Sequence, residues 1–155
     1  MDMMQCVLCR GDRIVELSEK PVPNPGPDDV RIKIHASAIC GSDLHKYRQS
    51  VVDREAGGYD KLVLGHEGAG VVDAVGPGVV HPKIGDRVVA YRLIGCGACE
   101  HCRAGEPGFC QDLQGFNWVR DGVDAEYVVV PARYALPLPD DFDFEDGALL
   151  ACNVG

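Results

Sequence analysis

Short stretches in which apolar and polar residues alternate recur along the chain, and they predict β-strands. In the clearest one, residues 30–36, a valine and two isoleucines alternate with Arg31, Lys33 and His35. A period of two is that of a strand with one buried face, so we expect these three polar side chains to point outward. Further short apolar segments predict strands at 70–76, 86–91 and 125–130.

Prolines and glycines separate the predicted strands, most densely at 21–27, 76–78 and 137–139. These residues favour turns because proline fixes φ and glycine tolerates positive φ. Short strands at such spacing are typical of a small barrel or sandwich rather than of alternating strands and helices. The chain is therefore predicted to be mainly β, and its 155 residues, without an internal repeat or linker, predict one domain over 1–155.

Acidic residues mark two predicted helix starts. Ser42 and Asp43 form one of them, and the acidic run 140–146 leads into an apolar segment that ends at Leu150. Negative side chains in the first turn interact favourably with the helix dipole. We therefore predict short helices that begin at 42–43 and at Asp143, and we interpret the acidic run as a solvated helix start.

Charge and cysteine content narrow the possible partners. The formal net charge is −9 and no run of lysines or arginines occurs, so we expect neither a nucleic-acid partner nor a membrane partner. The first residues lack a basic stretch that leads into a long apolar segment, so we expect no export signal. Eight cysteines in such a chain are expected to be reduced, metal-binding thiols, which predicts a cytoplasmic protein.

Four of these cysteines lie in one loop that contains four glycines. Zinc binds thiolates tetrahedrally, and short steps of Cys-x2-Cys bring neighbouring sulfurs to one ion only where the backbone turns sharply. The loop is therefore predicted to be a closed, structural zinc site. Its members, spaced x2, x2 and x7, are Cys96, Cys99, Cys102 and Cys110.

Other uses of the four cysteines are less well supported by the spacing. A bacterial iron–sulfur run ends in Cys-x3-Cys-Pro, whereas the last gap here is seven and Gln111 follows. Two disulfides would require an oxidising compartment. His101 could replace one thiolate, but four thiolates already complete a zinc site, so we interpret it as an exposed residue.

A second set of metal-binding side chains is scattered along the chain. Cys40, His66 and Cys152 lie in three separate segments, as expected when a tertiary fold assembles three ligands and leaves a fourth position open. Singly, such a cysteine or histidine is more often a buried core residue. Together they predict a reactive zinc site.

Residues near these ligands could assist them. Asp43 is a candidate acceptor for the ring N–H of His66, and Glu67, beside that ligand, could approach the metal. Ser42 and His45 offer a hydroxyl and an imidazole, a route by which a proton could reach solvent. The aromatic residues Phe109, Phe116, Trp118 and Tyr127 cluster near the cysteine loop. We expect them to pack in the core around it, and the alternative is that they line a substrate pocket.

Three motifs resemble one known family. Cys-Gly-Ser-Asp-x-His at 40–45, Gly-His-Glu-x-x-Gly-x5-Gly at 65–76 and the cysteine loop at 96–110 are similar to those of zinc-dependent alcohol dehydrogenases of the medium-chain dehydrogenase/reductase family. They occur in the family's order and span almost the whole chain. The resemblance implies a GroES-like β barrel that carries both zinc sites and a few short helices.

The resemblance also implies roles for individual residues. Cys40, His66 and Cys152 would bind the catalytic zinc, and Cys2His is the known ligation of catalytic zinc in alcohol dehydrogenase. Ser42 and His45 would relay the proton. The structural ligands would be Cys96, Cys99, Cys102 and Cys110, in a zinc lobe of about 92–115.

The chain departs from the family pattern in two places. Gly41 stands where some relatives have a basic residue that contacts the cofactor pyrophosphate. The sequence also contains no Gly-x-Gly-x-x-Gly, and it stops at Gly155 where the family continues into a Rossmann domain. We therefore expect NAD or NADP to be bound by that missing domain, and the 155 residues alone to be inactive.

The resulting hypothesis is the catalytic-domain portion of a zinc- and NAD(P)-dependent alcohol dehydrogenase. In the complete enzyme it would oxidise small-molecule alcohols to aldehydes or ketones, and relatives are commonly homo-oligomers. The alternative is a stand-alone zinc-binding module without redox activity. The open ligand set argues against that alternative, because a scaffold needs only the closed site.

Overall fold

A computed structural model of the chain describes residues 2–50 and 61–152, which are mainly β. No helix in these two ranges has the length and apolar character needed to cross a bilayer. Short 3-10 turns lie at Pro107–Phe109 and Ala132–Tyr134. The strands are β1 Met3–Gly11, β2 Ile14–Pro21, β3 Asp29–Ala38, β4 Glu67–Val75, β5 Arg87–Ala90, β6 Leu93–Ile94, β7 Gln114–Gly115, β8 Tyr127–Pro131 and β9 Ala135–Pro137, and the helices are α1 Gly41–Arg48, α2 Glu100–Arg103 and α3 Phe144–Leu150.

The central element is an antiparallel sheet of five strands in the order β8-β3-β4-β5-β9. It curls into a half-barrel, which confirms the predicted fold class. The β1–β2 hairpin lies beside it and is joined to neighbouring segments by single bridges from Cys6 to Ala125 and from Leu8 to Val63. The two short strands β6 and β7 pair with each other.

The core lies on the inner face of the curled sheet. Ile32 is fully buried and stands between Val72 of β4 and Val128 of β8, which are its partners across the two strand pairs. On the opposite face of β3, Arg31 forms a two-point ion pair with Asp73, with N–O distances of 2.9 Å. The predicted alternation of β3 is therefore confirmed.

Helix α3 covers the outer face of the sheet. Ala148 and Ala151 are buried against Ala69 and Val89. The imidazole of His35 stacks on Phe144, with ring centroids 4.5 Å apart, so this histidine points outward but contacts the helix. The Asp143 side chain accepts a hydrogen bond of 2.7 Å from the backbone N–H of Asp146, and this cap confirms the predicted helix start.

The hairpin β1–β2 was not predicted from the sequence. Most of β2 is exposed on both faces, so its residues lack the alternation that identifies a half-buried strand. The turn is formed by Asp12 and Arg13, both with positive φ, and the dipeptide resembles none of the common glycine-containing hairpin turns. Strand β4 also begins three residues before the predicted start at 70, because the small residues of 68–70 pair closely with β3.

Replacing Ile32 by Ala tests the position of the core. We expect the free energy of unfolding to fall by about 2–5 kcal/mol, because a fully buried isoleucine leaves a cavity between three strands. Urea unfolding of the metal-loaded chain measures the change. Ile84→Ala, at a side chain that is 64% exposed, is the matched control and should cost less than about 0.5 kcal/mol. Equal losses for the two variants would contradict the assigned core.

Candidate metal centres

The four cysteines of the loop form one compact group. Their sulfur atoms all lie within 4.8 Å of one another, and Cys99 Sγ is 3.8 Å from Cys110 Sγ. Two thiolates at zinc-bond length of about 2.3 Å in a tetrahedron are roughly 3.8 Å apart. The spacing therefore fits a single ion, and it is too tight for an iron–sulfur cluster, whose four cysteines are divided among two or four irons.

Backbone N–H groups turn toward these sulfur atoms. Cys96 Sγ accepts hydrogen bonds of 3.4 Å from the N–H groups of Ala98 and Cys99, and Cys99 Sγ accepts one of 3.5 Å from Cys102. The bonds from Ala98 and Cys99 are the main reason that the pKa of Cys96 falls to about 6. The loop thus favours a thiolate by its local backbone conformation, without needing burial.

A second thiolate is harder to form in this group. A hydrogen bond from the Gly97 N–H lowers the pKa of Cys102, but partial burial and the three neighbouring cysteine sulfurs outweigh it and raise this pKa to about 12. Four sulfurs this close together cannot all be negative near neutral pH unless a cation lies among them. The donor set therefore fits a bound divalent metal.

The cysteine loop is fastened to the sheet at Gly95. The Gly95 N–H donates to the Tyr134 hydroxyl at 2.9 Å, and Arg133 donates to the Gly95 carbonyl at 2.9 Å. A side chain at Gly95 would lie 2.5 Å from Cys102 Sγ, so only glycine fits there. The 3-10 turn Ala132–Tyr134 thereby sets where the loop begins.

The scattered residues meet at the ends of three different elements. Cys40 directly precedes α1, His66 and Glu67 stand at the start of β4, and Cys152 follows α3. Their ligand atoms lie within 4.8 Å of one another, with 4.0 Å between the sulfurs of Cys40 and Cys152. Two sulfurs and an imidazole are donors that zinc accepts, and the fourth, Glu67, is a completely buried carboxylate.

A tight turn brings His66 to this position. Gly65 has φ of 85°, and a side chain there would come within 2.2 Å of the carboxylate of Asp124. Only glycine adopts this conformation at such close approach without strain. The turn delivers His66, which is 4% exposed, into the protein interior beside Cys40.

A buried carboxylate orients the histidine. Asp43 Oδ1 lies 3.3 Å from His66 Nδ1, and Asp43 Oδ2 accepts a hydrogen bond of 2.9 Å from the Cys40 N–H. Burial lowers the pKa of His66, but the hydrogen bond and charge of Asp43 outweigh it and raise this pKa. Because Nδ1 faces Asp43, Nε2 is the atom left to bind a metal.

The two thiols of this group differ in acidity. Hydrogen bonding with Ser42 is the main cause that lowers the pKa of Cys40. Burial raises the pKa of Cys152 to about 11, although the positive charge of Arg92 works in the other direction. A metal would therefore meet one thiol that ionises readily and one that it must itself deprotonate.

Asn117 and Lys46 complete the network, and sequence reasoning missed both. Asn117 Nδ2 donates to Asp43 Oδ1 at 2.9 Å, and Lys46 Nζ contacts both oxygens of Asn117. Because lysine can only donate, it fixes the amide with its NH2 group toward Asp43. The backbone of Asn117 has φ of 49°, a conformation that asparagine tolerates better than most residues. The choice of asparagine at this position is the one local feature of the sequence that could have pointed to it.

A cleft of 420 Å³ lies beside the second metal group. Ser42 and His66 share its wall, with Ser42 Oγ 3.4 Å from His66 Nε2. His45 also lines it. The expected core packing of the four aromatic residues holds only for Phe116, which is buried. It is wrong for the other three, because Trp118 is 51% exposed along the cleft, Phe109 is 70% exposed, and the Tyr127 ring lies against the guanidinium of Arg31 on the outer face of the sheet. The lining residues are Ser42, His45, Lys46, Gln49, His66, Arg92, Leu93, Gly115, Phe116, Asn117 and Trp118.

The chain is similar to known proteins in sequence and in fold. The model of the alcohol dehydrogenase GroES-like domain matches residues 26–140. An uncharacterized zinc-type alcohol dehydrogenase-like protein, YphC of Escherichia coli, is 38% identical over 161 residues, covering 100% of this chain and 46% of that protein. The chain thus spans less than half the length of this relative.

Two solved structures from Escherichia coli have the same fold. The short chain alcohol dehydrogenase rspB, complexed with NADH, has a TM-score of 0.82 and 34% identity, covering 97% of this chain and 42% of that one. Galactitol-1-phosphate dehydrogenase has a TM-score of 0.83 and 36% identity, covering 95% and 41%.

Cys99→Ser tests the cysteine loop as a structural metal site. We expect loss of about one zinc per chain and faster proteolysis within 95–112, because structural zinc sites contribute roughly 10 to 16 kcal/mol of apparent binding free energy. Elemental analysis and limited proteolysis give the two readouts. His101→Ala, at an exposed residue of the same loop, should keep the zinc. Unchanged zinc and protease resistance in Cys99→Ser would contradict the assignment.

Asn117→Gly tests the network around His66, since glycine removes the amide and tolerates positive φ. We expect zinc at His66 to dissociate about 10- to 100-fold more readily, as is typical when the partner of a ligating histidine loses its support. Chelator competition measures both zincs of one chain. The zinc of the cysteine loop is an internal control and should not change. Equal weakening of both would indicate general unfolding instead.

Proposed function

Because the chain belongs to the family of alcohol dehydrogenase GroES-like domains, we propose that it is the metal-binding catalytic part of a zinc- and NAD(P)-dependent alcohol dehydrogenase. The observation that supports this most directly is the buried group of Cys40, His66 and Cys152 beside a cleft. The zinc-type name of one relative and the NADH bound to another are consistent with it. We assign the domain to 1–155, with its zinc lobe at about 92–115.

In this proposal the two metal groups have different tasks. Cys40, His66 and Cys152 hold the catalytic zinc, and Glu67 lies close enough to join or replace a ligand. When bound, zinc polarises the oxygen of the alcohol and NAD(P) accepts a hydride. The structural zinc is held by Cys96, Cys99, Cys102 and Cys110.

The chain's own residues supply the proton path. Ser42 Oγ borders both the cleft and His66 Nε2, so it can accept the proton of a hydroxyl group bound there. His45, on the next turn of α1, also lines the cleft and can pass that proton to solvent. Asp43 stays ionised, because its hydrogen bonds outweigh burial and lower its pKa, and it keeps His66 in one orientation.

The second group favours an enzyme over a zinc-binding module without redox activity. A scaffold requires only the cysteine loop, which closes around its ion by local backbone turns. A further cysteine–histidine group brought together from three segments beside a cleft serves no such purpose.

Two variants of a longer protein that contains these residues and a nicotinamide-binding domain test the proposal. His66→Ala should lose one zinc and all turnover, because it removes a ligand. Ser42→Ala should keep both zincs and lose about 10²- to 10⁴-fold in kcat through the proton path. Zinc analysis and cofactor reduction at 340 nm are the measurements.

Ser18→Ala, at a hydroxyl on β2 outside the cleft, is the matched control and should keep full activity. A fully active His66→Ala enzyme would overturn the proposed role of this group. A Ser42→Ala enzyme with unchanged kcat would remove Ser42 from the proton path while leaving the metal assignment intact.

A further inference from the structure

The cleft beside the second metal group is positively lined although the chain is acidic. The sequence has 24 aspartates and glutamates against 15 lysines and arginines, a net charge of −9. Among the described residues that line the cleft, Lys46 and Arg92 are cationic, and none is an aspartate or glutamate. Such a distribution attracts anions to one place on a chain that otherwise repels them.

Of the two cationic side chains in this cleft, Arg92 is the one that can bind a ligand. It has no hydrogen bond and no ion pair among residues 2–50 and 61–152, whereas the nearby Lys46 is engaged with Asn117. By contrast, Arg31 is paired with Asp73, and Arg133 is bound to the Gly95 carbonyl. A half-buried guanidinium with five donors and no acceptor gains substantially from a carboxylate or phosphate, which it can bind at two points.

Arg92 also lies close to the chemistry. It directly precedes β6 and lines the cleft. Ser42 and His66 share the same lining, so a hydroxyl group near them and an anion near Arg92 would occupy one cleft. Its volume of 420 Å³ is at the lower end of the roughly 300–1,000 Å³ of small-molecule sites, which limits the ligand to a small molecule.

We propose that this cleft takes small alcohols that carry an anionic group, a carboxylate or a phosphate, and that Arg92 binds that group. The inference rests on the proposed dehydrogenase function and specifies its substrate class. Leu93, Phe116 and Trp118 form the apolar part of the lining and contact the carbon chain between the two polar ends.

Trp118 provides a direct measurement, because it is the sole tryptophan of the chain and lines the cleft. Its fluorescence is followed while the zinc-loaded chain is titrated with matched pairs of probes. 3-Hydroxybutyrate is compared with butane-1,3-diol, and glycerol 3-phosphate with glycerol. We expect at least one anion to bind about tenfold or more tightly than its neutral counterpart, and the two pairs distinguish carboxylate from phosphate.

Arg92→Gln should abolish this preference, and Arg92→Lys, which keeps the charge, should retain part of it. Arg103→Gln, at an exposed arginine on α2 outside the cleft, is the control and should bind the anions normally. Zinc content and circular dichroism of each variant establish that it is folded. Anion binding that is unchanged in Arg92→Gln would overturn the inference, because the anion would then be bound by the metal or elsewhere.

The two proposals can fail separately. If the anions bind through Arg92 but the longer protein reduces no cofactor with any alcohol, the anion site stands and the dehydrogenase function is overturned. If the longer protein oxidises neutral alcohols and the chain shows no preference for either anion, the dehydrogenase function stands and the substrate class is overturned.

Discussion

The register of β3 against β4 is the constraint on which both the core and the second metal group depend. Its last pair joins Ala38 to Glu67, so the chain reaches Cys40 just beyond the point where it enters β4 from His66. Side chains alternate between the faces of a sheet, and a slip of one residue would exchange the buried residues of β3 for its charged ones. The same slip would separate the thiol from the imidazole. Core packing and the placement of the metal ligands therefore both require the same register of β3 against β4.

How much could be predicted from the sequence depended on the distance along the chain between interacting residues. The alternation of β3, the cap of α3 and the cysteine loop involve near neighbours, so spacing alone indicated them. Cys40 and Cys152 are 112 residues apart, and they were grouped because family motifs surround the first of them. Asn117 lies 74 residues from Asp43, and no local pattern pointed to their hydrogen bond. Trp118 was misplaced for the same reason, because its exposure depends on which segments form the cleft.

The two metal groups reach similar sulfur spacings by different physical means. In the cysteine loop, backbone N–H groups lower the pKa of an exposed thiol, so the thiolate that binds a metal is stabilised by its near neighbours in the chain. His66 is instead oriented by the buried carboxylate of Asp43, which accepts a hydrogen bond from the amide of Asn117, and Lys46 holds that amide in place. The first arrangement needs only a short, glycine-containing loop. The second needs the sheet, two helices and the turn at Gly65 to be in place together.

Strand β6 has only two residues, and it connects Arg92 in the cleft with Gly95 at the start of the cysteine loop. The loop is a closed unit that emerges from the sheet at this strand and is held by Arg133 and Tyr134. The cysteine loop can therefore gain or lose residues during evolution without changing the register of the sheet. Changes in β6, where the loop begins, are more restricted. A related protein with a longer β6, or without β6, would also have Arg92 in a different place. Changes at the start of the cysteine loop would therefore change which molecules the cleft can bind.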